Sequence, residues 1–177
     1  MPQHALSTDW DGLGPAALLA HLESTHHAFV RAELPRLSSL GRRVAAQEGD
    51  RHGELHEVVE LYEELRLDLG PHLMKEERVL FPLVRELVQA TRRPSFHCGS
   101  IANPIAAMVA EHAQTTRLMA RLRQATLGYL LGDDASDELH EFYGSLAALD
   151  ADTRVHIHKE NEVLFPAVLA LEASLPG

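Results

Sequence analysis

Two short stretches of this 177-residue chain carry residues able to grip a metal ion. His72 to Pro82 reads HLMKEERVLFP, and 84 residues later His156 to Pro166 reads HIHKENEVLFP. In each copy an aspartate, a histidine and a glutamate recur at steps of four: Asp68, His72, Glu76 and Asp152, His156, Glu160. On a helix such residues stand one turn above each other on one face, so each His–Glu pair aims at a single point, as chelation demands. The aspartate one turn earlier is placed to take the imidazole's second N–H and fix its tautomer. A solvated helix face also shows pairs four apart. Here Leu69, Leu73 and Leu80 flank the first set and turn that face inward, where an unpaired carboxylate is costly.

The register extends beyond the ligands. Leu65 matches Leu149, Val84 matches Val168 and Leu87 matches Leu171. His27 precedes His72 by 45 residues, and His112 precedes His156 by 44. Two similar helical hairpins would therefore bring four imidazoles to a common depth. Imidazole with carboxylate suits iron, manganese or zinc better than calcium or magnesium. Carboxylates from facing helices can bridge two ions, as they do in bundle cores. No thiolate joins the set, so a cysteine-rich zinc site is not indicated.

Four stretches of helical periodicity must position these groups. The first runs from about Pro15 to Ala46, with Pro35 expected to bend it, and the second from Glu54 to about Thr91, with a kink or restart expected at Gly70-Pro71. Asn103-Pro104 offers a cap and a first-turn proline for the third, and Gly132-Asp133-Asp134 with Ser136 separates it from a fourth, Asp137 to Leu171. Short connectors favour an all-α, up-down-up-down four-helix bundle over a globin-like set of more, shorter helices. The expected organisation is an N-terminal extension, 1–14, followed by one bundle domain, 15–177.

Composition narrows the function. A formal charge of -10 argues against nucleic acid or an anionic membrane as partner, and no apolar run is long enough to span a bilayer. One cysteine, Cys98, and a start without a secretory pattern fit a cytoplasmic protein. No Ser–His–Asp arrangement or phosphate-binding glycine loop supports a hydrolase or nucleotide reading.

At THHAFVRAELPRL (Thr25 to Leu37), FHCGSIANPIAAMVAEH (Phe96 to His112) and the two repeated motifs, the chain resembles the hemerythrin-like HHE cation-binding family. The branch it is most similar to is the repair-of-iron-centres proteins, which act under nitrosative and oxidative stress. The resemblance covers about Leu18 to Leu171 and implies a non-haem di-iron centre, two iron ions with an oxo or hydroxo bridge. By this resemblance His27, His72, His112 and His156 are ligands, and Glu76 and Glu160 bridge the irons. The branch often carries an N-terminal cysteine-containing domain, and no counterpart of it is expected in the short stretch before Pro15. The family commonly has a further histidine ligand just after the first helix. Counted from Pro35, that position is Glu48, which leads to the expectation that Glu48 ligates iron in place of imidazole. His26, beside His27, competes with it as a ligand, and the family register favours His27.

The implied function is a stress-response protein that reacts with NO, O2 or peroxide and supports repair of damaged iron centres, with damaged iron–sulfur proteins as partners. The alternatives are a reversible O2 or NO carrier or sensor without turnover, and a metal-stabilised structural bundle.

Overall fold

A computed structural model describes residues 9–132 and 135–176. Most of the expected N-terminal extension, and Asp133-Asp134 of the expected turn, lie outside the described residues. Among these there is no β-strand, and helices dominate.

The helices form four rods. α1, residues 15–48, joins Pro15–Leu22, a wide π-helical turn Glu23–His27, and Ala28–Glu48. α2, residues 54–89, joins Glu54–Lys75, a second π turn Glu76–Leu80, and Phe81–Gln89. α3 is Ala102–Ala125. α4, residues 137–174, joins Asp137–His158, a third π turn Lys159–Leu164, and Phe165–Ser174. Pro15 starts α1 where its missing N–H costs nothing. Ser136 caps α4, its hydroxyl accepting the Leu139 N–H at 3.2 Å, with Asp137 and Glu138 in the first turn complementing the helix dipole. α3 ends where Leu127, Gly128 and Tyr129 take successive left-handed conformations.

The expected interruptions fall elsewhere. Ala28–Glu48 runs through Pro35, and Glu54–Lys75 runs through Gly70-Pro71. Asn103 does not cap α3; its amide donates to the Cys98 carbonyl, and the Ser100 hydroxyl accepts the Ala102 N–H instead. The local irregularities are the π turns, each at an expected ligand. His72, Glu76, Leu80 and Val84 are all buried at steps of four, as are His156, Glu160, Leu164 and Val168. Three such steps on a 3.6-residue helix drift about 120° around the axis. One residue inserted as a π turn takes back about 100°, so the expected ligands and the apolar residues beyond them both face inward.

The core is split in two. One apolar cluster holds Val30, Leu34, Leu69, Leu73, Leu118 and Leu149; the other holds Leu22, Leu80, Phe81, Met108, Leu164 and Phe165. In each rod an expected ligand falls in the gap between the clusters: His27, Glu76, His112, and His156 with Glu160. A polar layer crosses the bundle there, closed above and below by hydrocarbon.

Candidate metal centre

His27, His72, Glu76, His112, His156 and Glu160 meet in that layer, each at most 2% exposed. Their donor atoms form two groups of four, His27–Glu76–His156–Glu160 and His72–Glu76–His112–Glu160, each within 4.8 Å. Both glutamates belong to both groups. Glu76 turns Oε2 toward His27 Nε2 at 3.4 Å and Oε1 toward His72 Nε2 at 3.3 Å. Glu160 turns Oε1 toward His156 Nε2 at 3.2 Å and Oε2 toward His112 Nε2 at 3.1 Å. Each carboxylate thus divides its two oxygens between two adjacent positions.

Three imidazoles are held from behind. His27 Nδ1 donates to Glu77 at 2.8 Å, His72 Nδ1 to Glu111 at 3.0 Å and His112 Nδ1 to the Asn161 carbonyl at 2.9 Å. A proton kept on Nδ1 leaves Nε2 as a lone pair aimed inward, the tautomer a metal requires. Ring stacking adds apolar walls: Phe81 lies 5.3 Å from His27 and Phe165 6.0 Å from His112, centroid to centroid.

These residues fit a cation. All four oxygens of Glu76 and Glu160 are buried without a hydrogen-bond donor, an arrangement of high cost unless positive charge fills it. The Nε2 atoms of His72 and His112 stand 3.1 Å apart, and those of His27 and His156 3.3 Å apart. Facing lone pairs at that distance repel unless a cation or proton sits between them.

In the metal-free chain, protons take that place. Burial opposes charge on His112, but Glu160 and Glu76 outweigh it and push its pKa up to about 10. Burial likewise opposes, and Glu76 overcomes, at His27 and His72, which are also raised. Glu76 is held well below the carboxylate range, its burial outweighed by His112, His27 and His72. A raised histidine pKa stabilises the fold fully below its unfolded value of 6.5 and loses that contribution as pH rises through the folded value. Metal-free protein is therefore expected to lose stability between pH 6.5 and about 10. Metal binding should strengthen over the same window as it displaces those protons, which pH-resolved thermal melts and proton release on titration with metal will check.

The structure corrects two expectations. Glu48 lies 21 residues beyond His27 in α1, which puts it about 30 Å along the bundle from the metal layer. There it is 2% exposed, accepts the Ser136 hydroxyl, and faces Arg51 at 3.6 Å. Its burial ties the end of α1 to the start of α4. Glu48→Ala should cost about 1–3 kcal/mol in chemical denaturation by removing the Ser136 hydrogen bond to a buried carboxylate, and leave metal content unchanged. Second, Asp68 and Asp152 do not support His72 and His156: Asp68 accepts from Thr115 at 2.6 Å, and Asp152 accepts from His26 Nδ1 at 2.8 Å. His21, unremarkable in the sequence, meets the buried Lys159 ammonium at 2.7 Å. His26 does not compete with His27, because Lys159 donates to its Nε2 at 2.9 Å. Burial lowers the pKa of Lys159, while Asp152 raises it.

Nothing in the sequence singles out Glu77, Asn161 and Lys159, and Glu111, beside His112, reads there equally as part of a proton or iron path and as a surface residue. One signal is present: each follows or precedes a ligand by a single residue. The contacts run between rods, however, and no spacing within a rod reveals them.

A helical bundle with buried histidines and glutamates suits a cation-binding domain, and the model of the hemerythrin HHE cation-binding domain matches residues 18–168. The chain belongs to this family. It is 30% identical over 160 residues to the iron–sulfur cluster repair protein DnrN of Neisseria gonorrhoeae, covering 90% of this chain and 95% of that one. It is 28% identical to the iron–sulfur cluster repair protein YtfE of Cronobacter sakazakii, over 94% of this chain and 72% of the relative. Staphylococcus haemolyticus ScdA, also named an iron–sulfur cluster repair protein, is 29% identical over 86% of this chain and 67% of its own. No helix among the described residues is long and apolar enough to cross a membrane.

Proposed function

We propose that the chain is a cytoplasmic non-haem di-iron protein of the nitrosative and oxidative stress response, which reacts with NO, O2 or peroxide and supports repair of damaged iron–sulfur proteins. The observation that carries the iron pair is the sharing of Glu76 and Glu160 between two four-donor groups. His27 and His156 would hold one ion, His72 and His112 the other, with both glutamates bridging. Repair as the purpose is supported by the names of the relatives.

When bound, such a pair would supply one- and two-electron redox chemistry toward a small ligand. The chain's own residues do the rest. Glu77, Glu111 and Asn161 hold the imidazoles in register, and Phe81 and Phe165 with the two leucine-rich clusters keep bulk water out. No group in the layer is placed as a nucleophile, so the reactivity belongs to the metal pair.

The test is recovery of a [4Fe–4S] enzyme inactivated by NO. Iron-loaded protein should restore its activity faster than free ferrous iron at equal concentration, and Glu76→Ala protein should not. Recovery no better than with free iron would defeat the repair reading. A reversible spectral change with NO or O2, without turnover or recovery, would favour the carrier or sensor.

A further inference from the structure

The internal duplication holds at the ligands and fails around them. In the 84-residue register Glu77 corresponds to Asn161 and Lys75 to Lys159; with His27 matched to His112, His26 corresponds to Glu111. Thus His27 and His72 each donate to a carboxylate, and His112 donates to a neutral amide. Where the duplication would set a carboxylate against His156, it sets the ring of His26, lying nearly parallel at 6° with centroids 5.5 Å apart.

The lysines diverge in the same way. Lys75 reaches Glu111 at 2.6 Å with half its side chain in water. Lys159 is 4% exposed, its Nζ between His21 Nε2 and His26 Nε2 and 4.3 Å from the centre of the Trp10 ring. Two imidazole lone pairs and an aromatic face are the surroundings of an ammonium donor. His26 then carries its own proton on Nδ1, against Asp152. Asp152 is a quarter exposed, so water screens its charge, while the ammonium is shielded from water. The outer cations on the two supporting carboxylates, Arg31 on Glu77 and Lys75 on Glu111, are both exposed and match each other. The unmatched charge is Lys159, one ring away from His156.

Each position holds one histidine without a carboxylate behind it, His112 or His156, so what separates the two is the buried charge beside His156, and a buried like charge weakens the hold on a cation. We propose that the ion between His27 and His156 is the exchangeable member of the pair, and that Lys159, acting through His26, is the positioning residue that sets its weaker hold. This rests on the two-ion reading above.

The full chain, loaded anaerobically with ferrous iron and freed of excess, is mixed with a chromogenic ferrous chelator. Release should occur in two phases of equal amplitude. Lys159→Met should slow the fast phase about tenfold, the low end for changes behind a metal ligand, and spare the slow one. Lys159→Arg should keep the fast phase. Asn161→Asp, which restores a carboxylate behind His112, should slow only the slow phase. In half-emptied crystals the remaining metal scattering should lie between His72 and His112. A single release phase in the unmodified chain, equal slowing of both phases by Lys159→Met, or remaining metal between His27 and His156 would overturn the proposal. Uptake of fewer than two ions would instead overturn the reading it rests on, and the proposal with it.

Discussion

Replacing Glu76 by alanine is expected to empty both metal positions at once, whereas replacing His72 by alanine should empty one. The difference follows from connectivity. His72 serves only the group it forms with His112, Glu76 and Glu160, while Glu76 gives one oxygen to each group. Glu76→Ala therefore removes a donor from both positions and deprives them of half the negative charge that offsets two cations. Bound metal should fall from two ions per chain to near zero in Glu76→Ala and in Glu160→Ala. His72→Ala and His27→Ala should each retain about one, in different positions. Elemental analysis alongside far-ultraviolet circular dichroism separates loss of metal from loss of fold. A Glu76→Ala protein that still held one ion firmly would refute the shared-carboxylate geometry.

Stripping the metal should lower the thermal midpoint more than any single surface substitution does. Six side chains that prefer water or a cation are buried in the middle of the bundle, and four carboxylate oxygens there lack a donor. A ligand at a thousand times its Kd stabilises the fold by about 4 kcal/mol per site, and about 1 kcal/mol moves the midpoint of a chain this size by roughly 2–4 °C. Two filled sites at that saturation amount to a shift of about 15–30 °C. Calorimetry of metal-free and reconstituted protein measures it. The pH response adds a second mark, because metal-free protein weakens as pH rises past 6.5 while the metal-bound form gains its full advantage. Equal midpoints with and without metal would mean that the layer is stable on protons alone.

Much of this site is legible in the amino-acid sequence. Chelation by a helix requires donors about one turn apart, and His72–Glu76 and His156–Glu160 show that spacing twice in the same context. Inward leucines on both sides tell which face they occupy. The four-rod bundle follows from periodicity and short connectors. Glu48 misleads because a position counted from a family motif says nothing of depth along the bundle; a continuous helix carries the chain about 1.5 Å per residue away from the site. Asp68 and Asp152 mislead because one turn along a rod is not the only way to reach an imidazole's back. Glu77 and Glu111 reach it from a neighbouring rod instead. The π turns leave a trace in the steps of four from His72 to Val84, but periodicity alone does not distinguish a widened turn from a rotated face. Lys159 is hidden for a simpler reason: a lysine next to a ligand ordinarily faces water, and this one is covered by Trp10 and two histidines.

The proposed arrangement is four imidazoles and two carboxylates holding two cations side by side. It is tested most directly by diffraction from iron-loaded crystals recorded on either side of the iron absorption edge. Two adjacent anomalous peaks are predicted, one among His27, His156, Glu76 and Glu160, the other among His72, His112, Glu76 and Glu160. A lone peak, or iron located anywhere else in a fully loaded sample, would contradict it.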